Sequence, residues 1–395
     1  MGRDIAQLLH PGFILTGVVS NLLGALLPVF TARWGLSDAL AGDLFAAQYL
    51  GILAGNTAFR RTLTRTGLVR SLALGYFIMA GGVLGLGADG WLVAECSIFA
   101  YGLALGLTIP STNLLVAEVN PGRSAAALNL LNVAWCIGAV ICSPLCILFA
   151  ERRALLLPQL LLAASVSAVG LCLLKTARGA SNPAELSGGL SGSTESIWRE
   201  SMGIAIGALI FFYVGAETAV GGWVSMYTKR AMAASATSWA LAQSAFWATL
   251  LAGRAMAPYL LRRISGERLV LGGLCLALAG TGLLLASHTT VAHWSGIGLT
   301  GTGMALVFPT TIALYSQFFG ARASRSVGLI FACGGLGGAS IPWMVGFASS
   351  RTGSLRMGLV VVLLAVATMI ALQIRIVSLL RRSGGAVTGD ETERG

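Results

Sequence analysis

Charge is what this chain has least of. Asp, Glu, Lys and Arg together make up 10% of its 395 residues, against about 25% in a soluble globular domain. So few charges cannot cover a water-facing surface, which excludes the soluble globular class. Histidine is rarer still. His10, His288 and His293 stand at the edges of apolar runs with no metal-ligand spacing, and no metal site is read. No glycine-rich loop with a following Lys-Ser or Lys-Thr occurs, so no ATP drive is read. The glycine clusters lie within apolar runs, where they serve helix packing rather than phosphate binding. Cysteine is odd in number and lacks paired spacing: Cys96, Cys136, Cys142, Cys146, Cys172, Cys275 and Cys333 all fall inside apolar runs. They read as reduced small hydrophobes. The net charge of +11 does not point to nucleic acid, because the basic residues sit in short loops between apolar runs.

What the chain has is apolar length. Hydrophobic residues make up 56% and the mean hydropathy is +0.81, so lipid is its main solvent. A spanning helix needs about 20 apolar residues. Twelve runs qualify: 11–32, 37–59, 68–88, 92–119, 126–149, 154–174, 201–228, 236–261, 269–287, 294–318, 326–349 and 355–380. The first follows Arg3 like a signal peptide, but it is longer than an h-region and reads as a retained helix. Residues 175–200 are polar and rich in Gly and Ser. They are expected to be a cytoplasmic linker between a bundle at 1–174 and a bundle at 201–380. A disordered cytoplasmic tail is expected at 381–395.

The two halves repeat each other. Residues 110–123 read PSTNLLVAEVNPGR and residues 309–322 read PTTIALYSQFFGAR, each an intramembrane proline with an arginine thirteen positions later. Leu53-Ala54-Gly55 lies 57 residues before Pro110, and Leu251-Ala252-Gly253 lies 58 before Pro309. Pro144 and Pro342 follow the two arginines at nearly equal distance. Duplicated bundles of this kind build many secondary transporters. With the N-terminus inside, 18 of the 26 Lys and Arg residues fall on the inner side and 7 on the outer, with Arg254 inside a helix. That bias puts both termini in the cytoplasm of a multi-pass plasma-membrane protein.

Twelve helices, a polar central linker and two parallel repeats resemble the major facilitator superfamily. Particular strings resemble its branch of fucose, galactose, glucose and mannose–proton symporters. Leu128-Asn129-Leu130-Leu131-Asn132 with Gly138-Ala139 is similar to that branch's LNLxQ…GA motif, with Asn in place of Gln. Tyr213-Val214-Gly215-Ala216-Glu217 is similar to its YxGxE pattern, and Gly253-Arg254 ends the eighth helix as in the branch. Phe308-Pro309 and the pairs Gly334-Gly335 and Gly337-Gly338 extend the likeness. The chain departs from the family in the loop 55–67, where Arg65 and Gly67 fit but the acidic residue is missing. Fucose-type members carry acids in helices 1 and 4, where this chain offers Asn21 and Leu107. The resemblance therefore implies an all-α major facilitator fold of two pseudo-symmetric six-helix bundles, and favours the glucose/mannose type.

Glu217 is the sharpest candidate. An ionised acid at mid-bilayer costs roughly 2.5–3.5 kcal/mol on insertion scales and is functional by default. It is expected to couple transport to a proton, to bind substrate, or both; sodium is the other ion such oxygens serve. Arg254 is expected about 11 Å from Glu217 in depth at 1.5 Å per residue, too far for a direct ion pair, and reads as a gate or clamp. Arg65, Arg123 and Arg322 read as further gating residues. Asn21, Gln48, Asn129, Asn132 and Gln243 offer the paired donors and acceptors that sugar hydroxyls need, with inter-helix bonding as their rival role. Tyr213, Trp135 and Trp247 offer faces for a pyranose ring, whereas Trp223, Tyr227 and Trp239 read as interfacial anchors. The expected function is proton-coupled transport of a small polar solute, a hexose first, by a monomer working through alternating access. The alternative is a proton-driven exporter of amphipathic drugs or metabolites, against which the absent GxxxGPxxGG motif of helix 5 argues. A non-transporting membrane receptor is the third reading.

Overall fold

The computed structural model describes residues 2–88, 90–120, 122–150, 156–176, 200–232 and 236–392. Among these, all regular structure is helix. The first half contributes α1 (Gly2–Trp34), α2 (Asp38–Thr66), α3 (Leu68–Gly85), α4 (Trp91–Val119), α5 (Ser124–Ala150) and α6 (Leu156–Thr176). The second contributes α7 (Ser201–Ala231), α8 (Ala236–Leu260), α9 (Gly266–Ala286), α10 (Thr290–Met304), α11 (Val307–Phe319), α12 (Ala321–Thr352) and α13 (Leu355–Thr392). Helix is the answer lipid demands, since each segment then satisfies its own backbone. The expected linker at 175–200 lies, from 177 to 199, outside the described residues.

Among the described residues, ten helical segments are long and apolar enough to cross a membrane. Of the twelve runs read from the sequence, α2 and α8 fall short of that measure. The cause is polarity at their ends and faces. α2 has Asp38 and Asp43 at its start and Arg60, Arg61 and Arg65 at its finish, and α8 carries Gln243, Ser244 and Arg254.

Local chemistry sets the helix ends. Ser37 caps α2, its Oγ accepting from the Leu40 N–H at 3.3 Å, and Thr289 caps α10 in the same way through Ala292. Gly67 turns the chain from α2 into α3 at φ +80°, with its N–H on the Leu63 carbonyl; a side chain at that φ is strained. The run at 294–318 is two helices rather than the one expected. Pro309 has no N–H to give the carbonyl of Ala305 and its ring crowds that turn, so the helix breaks at 305–306. The repeat partner Pro110 sits in an unbroken α4. At the other end, α13 continues to Thr392, past residue 381 where a disordered tail was expected. Extending an existing helix adds one bond per residue without a new nucleus.

The packing repeats between halves. In the first half α1 packs on α5, α2 on α4, and α3 on α4 and α6. In the second half α7 packs on α12, α8 on α10, and α9 on α10 and α13. The halves meet where α2 lies on α12, α5 on α8 and α1 on α7.

Candidate functional site

Two of the contacts between the halves frame the candidate site. The first runs along one stripe of α2: Asp38, Gly42, Phe45, Tyr49 and Leu53, spaced four, three, four and four residues as one helix face requires. Asp38 takes both prongs of Arg230 at the end of α7, 2.7 and 2.7 Å. It also accepts from Ser349 Oγ at 2.5 Å, and the Ala39 N–H donates to Ser350 Oγ at 2.7 Å. Gly42 lets the backbones close: a Cβ there would stand 3.1 Å from the Trp343 carbonyl oxygen. Phe45 packs on Trp223, ring centroids 5.7 Å apart. Tyr49 shares a hydrogen bond of 2.6 Å with Thr218. Leu53 lies against Gly335.

The second seam is α5 on α8. Ser143 Oγ donates to Gln243 Oε1 at 2.6 Å, and Ser244 Oγ to the Val140 carbonyl at 2.7 Å. Gln243 Nε2 donates to the Asn21 carbonyl at 3.1 Å. Trp135 and Trp247 meet edge to face at 5.4 Å. The last contact is Arg254 Nη1 on Cys136 Sγ at 3.7 Å. Between described residues, the hydrogen bonds joining the halves all lie at the midplane or on the side of the α1–α2 turn. Towards the opposite end, Arg60, Arg61, Arg65, Asn129 and Asn132 are exposed.

Glu217 stands beside the Tyr49–Thr218 bond of the first seam and the Arg254–Cys136 contact of the second. Tyr213, four residues before it on α7 and so on the same face, donates its hydroxyl to Glu217 Oε1 at 2.6 Å. Arg254 Nη2 donates to the same oxygen at 3.1 Å and reaches Tyr213 Oη at 3.5 Å. The side chains of Arg254 and Glu217 are 25% and 15% exposed, so the pair is largely buried with a small part of its surface open. This corrects the expectation that the two are too far apart. The depth estimate counted backbone rise alone. In a helix each Cα–Cβ bond tilts towards the N-terminus, and α7 and α8 are sequential and run in opposite directions. The two long side chains therefore lean towards each other and close the gap. The pair has an electrostatic reason to stay together, since an unpartnered charge in a low-dielectric interior is strongly destabilising.

The other predicted site residues fall into three groups. Gln48 and Gln243 are spent on neighbouring helices: Gln48 Nε2 donates to the Ser20 carbonyl at 3.0 Å and its Oε1 accepts from Tyr101 at 3.3 Å. Asn21 Nδ2 bonds the Gly17 carbonyl of its own helix at 2.9 Å. Trp135 and Trp247 line the second seam beside Glu217's helix, and Trp135 Nε1 donates to Ser20 Oγ at 3.3 Å. Asn132 and Asn129, one and two turns along α5 from Cys136, are exposed. Arg65 and Arg123 are exposed at helix ends, away from it; the side chain of Arg322 lies outside the described residues. Trp223, expected as an interfacial anchor, is buried and donates to the Pro342 carbonyl at 3.1 Å, because it faces α12 rather than lipid. Tyr227 and Trp239 are also largely buried. Sequence reasoning missed Tyr49, Thr218 and Cys136 as neighbours of the pair, and Asp38, Arg230 and Ser349 as a latch. Only Thr218 left a signal, directly after Glu217.

The sequence profile of the Major Facilitator Superfamily matches residues 9–342. None of the curated proteins matches the chain. Among solved structures, a bacterial homologue of the human lysosomal transporter Spinster, inward-facing and unoccupied, is similar at 14% identity and a TM-score of 0.78, over 95% of this chain and 96% of that one. A D-xylose–proton symporter is similar at 15% identity and a TM-score of 0.72, over 93% and 96%. The transporter FucP in its outward conformation is similar at 19% identity and a TM-score of 0.63, over 94% and 98%. These likenesses concern the fold. With its helical architecture and a family match over most of its length, the chain belongs to the Major Facilitator Superfamily and is a multi-pass membrane transporter, not an enzyme.

Proposed function

We propose that this protein is a proton-coupled secondary transporter of a small polar solute, with hexoses the first to test, and that Glu217 carries the coupling proton. The observation that carries the reading is the Glu217–Arg254–Tyr213 cluster, set beside both seams and partly open to solvent. A proton added to Glu217 cancels its charge and loosens its hold on Arg254. The guanidinium is then free to bind solute or to shift against Cys136 on the other half. Chemistry at one acid is thereby tied to the contact between halves.

In this reading the chain crosses the plasma membrane twelve times in two six-helix bundles as a monomer, with both termini in the cytoplasm. The α1–α2 side is then the outside. The latched seams there, and the exposed residues at the opposite end, describe an inward-facing state of an alternating-access cycle.

A second reading, export of amphipathic solutes, is favoured by one observation. Gln48 and Gln243 are consumed by inter-helix bonds, which leaves fewer amides for sugar hydroxyls. The test is solute-driven pH change in proteoliposomes, with glucose, mannose, galactose and fucose, wild type beside Glu217→Gln. The variant keeps an amide oxygen for Tyr213 and Arg254. A sugar-specific proton flux lost in the variant is expected. Unchanged proton movement in Glu217→Gln contradicts the coupling role, a flux that follows sodium replaces the ion, and silence with every sugar moves the substrate to the amphipathic class.

A further inference from the structure

We infer that the solute carried at this site bears a carboxylate; the inference rests on the carrier reading above and places an acid ahead of the neutral hexoses as its substrate. It starts from donors that lack acceptors. A guanidinium has five N–H donors. Between described residues, only Nη2 of Arg254 meets oxygen. Nη1 has a thiol, a weak acceptor, at 3.7 Å, and Nε is buried with no partner. Arginine normally holds a carboxylate with two parallel bonds, and Arg230 does so with Asp38 in this same molecule. Arg254 holds Glu217 by one nitrogen on one oxygen.

A second open donor lies further along the same face of α7. Trp247 is only 5% exposed, yet its Nε1 has no partner. The indole edge rests on α7 at Gly221, where a Cβ would stand 3.4 Å from Nε1. Gly221 is one turn from Glu217 and on the same face. Buried N–H groups without acceptors are costly and rare in native proteins. Here two such donors lie along one face of α7, Arg254 Nε beside Glu217 and Trp247 Nε1 beside Gly221, one turn away.

The ligand that answers such a site is rich in acceptors and poor in donors. A neutral hexose offers hydroxyls, each of which brings a donor of its own that needs an acceptor. A carboxylate offers two anionic oxygens and no proton. Arg254 is also the one cation within the described helices at this depth, so it supplies the counter-charge an anion needs there. The charged and titratable groups facing Glu217 are Arg254 from α8, Tyr213 from α7, Cys136 from α5 and, through Thr218, Tyr49 from α2. The exchange balances as follows: a hydronium ion breaks one O–H bond and leaves as water, its proton forms an O–H bond on the Glu217 carboxylate, the hold of that acid on Nη2 weakens, and the solute's carboxylate takes the vacated donor. One proton and one anion then cross together, with no net charge moved.

The test is counterflow in proteoliposomes of the full chain, using labelled glucuronate and lactate, each beside its methyl ester. At least tenfold faster exchange of one acid over its ester is expected, at a rate unchanged when the membrane potential is reversed. Trp247→Phe, checked by its thermal melt, is expected to raise the half-saturation of that acid at least fivefold, and by more than that of its ester. The comparison of acid with ester in the wild type needs no variant to fold. An ester, or glucose, exchanged as fast as the acid overturns the inference and leaves the carrier reading standing. Exchange of none of them by folded protein overturns the inference too, and the sugar and amphipath screen above then decides the carrier reading separately.

Discussion

Arg254 and Glu217 belong to helices of opposite direction, and that single fact joins them. Both were legible as intramembrane charges, because ionisable residues stand out in runs this apolar. Their pairing was not, because rise per residue places backbones and says nothing of where a long side chain leans. The predicted amides show a second limit. An amide in an apolar run has the same appearance whether it awaits a solute or holds a neighbouring helix, and Gln48 and Gln243 do the latter. The Asp38–Arg230 latch was illegible for a third reason: its partners are 192 residues apart, and either alone reads as a solvated helix end. Arg230 is 43% exposed, so solvent screens the pair and its worth is about 1 kcal/mol or less. Asp38→Asn is therefore expected to loosen the α1–α2 side by roughly fivefold or less, read as faster hydrogen exchange of the backbone amides at 37–43. Unaltered exchange there means that Ser349, Ser350 and the glycine contacts hold the seam without the ion pair.

At the scale of elements, periodicity and length located the helices well, while turns inside an apolar run escaped. Pro110 and Pro309 occupy matching places in the repeat, yet only Pro309 breaks its helix. Proline forbids one bond and crowds one turn; neighbours decide whether the helix bends around it or parts. Pro309→Ala restores an N–H for the Ala305 carbonyl and removes the ring. It is expected to raise the melting temperature by a few degrees in differential scanning. A lower melting temperature would mean that the packing of buried Met304, Leu306 and Val307, rather than the proline, dictates the break. The glycines of α2 and α12 tell the complementary story. Gly42 and Gly346 look like generic helix-packing residues in sequence, but each stands where the two halves bring backbone against backbone.

For the whole molecule, the repeat was the most legible feature, because it survives as matched prolines, arginines and glycines. The structure carries it into packing: α1 on α5 answers to α7 on α12, and α3 on α6 to α9 on α13. What no repeat reveals is the state in which the halves rest against each other, since each half is compatible with either. In the proposed cycle the halves rock about the Glu217–Arg254 site, opening the latched side as the other closes. Spin labels at Ser37 and Thr352 report the latched side, and labels at Thr64 and Ser265 report the opposite end. Double electron–electron resonance in nanodiscs should show the first distance lengthening as the second shortens when solute and protons are supplied. If both distances stay fixed under every combination of pH and solute, or lengthen together, the halves do not alternate.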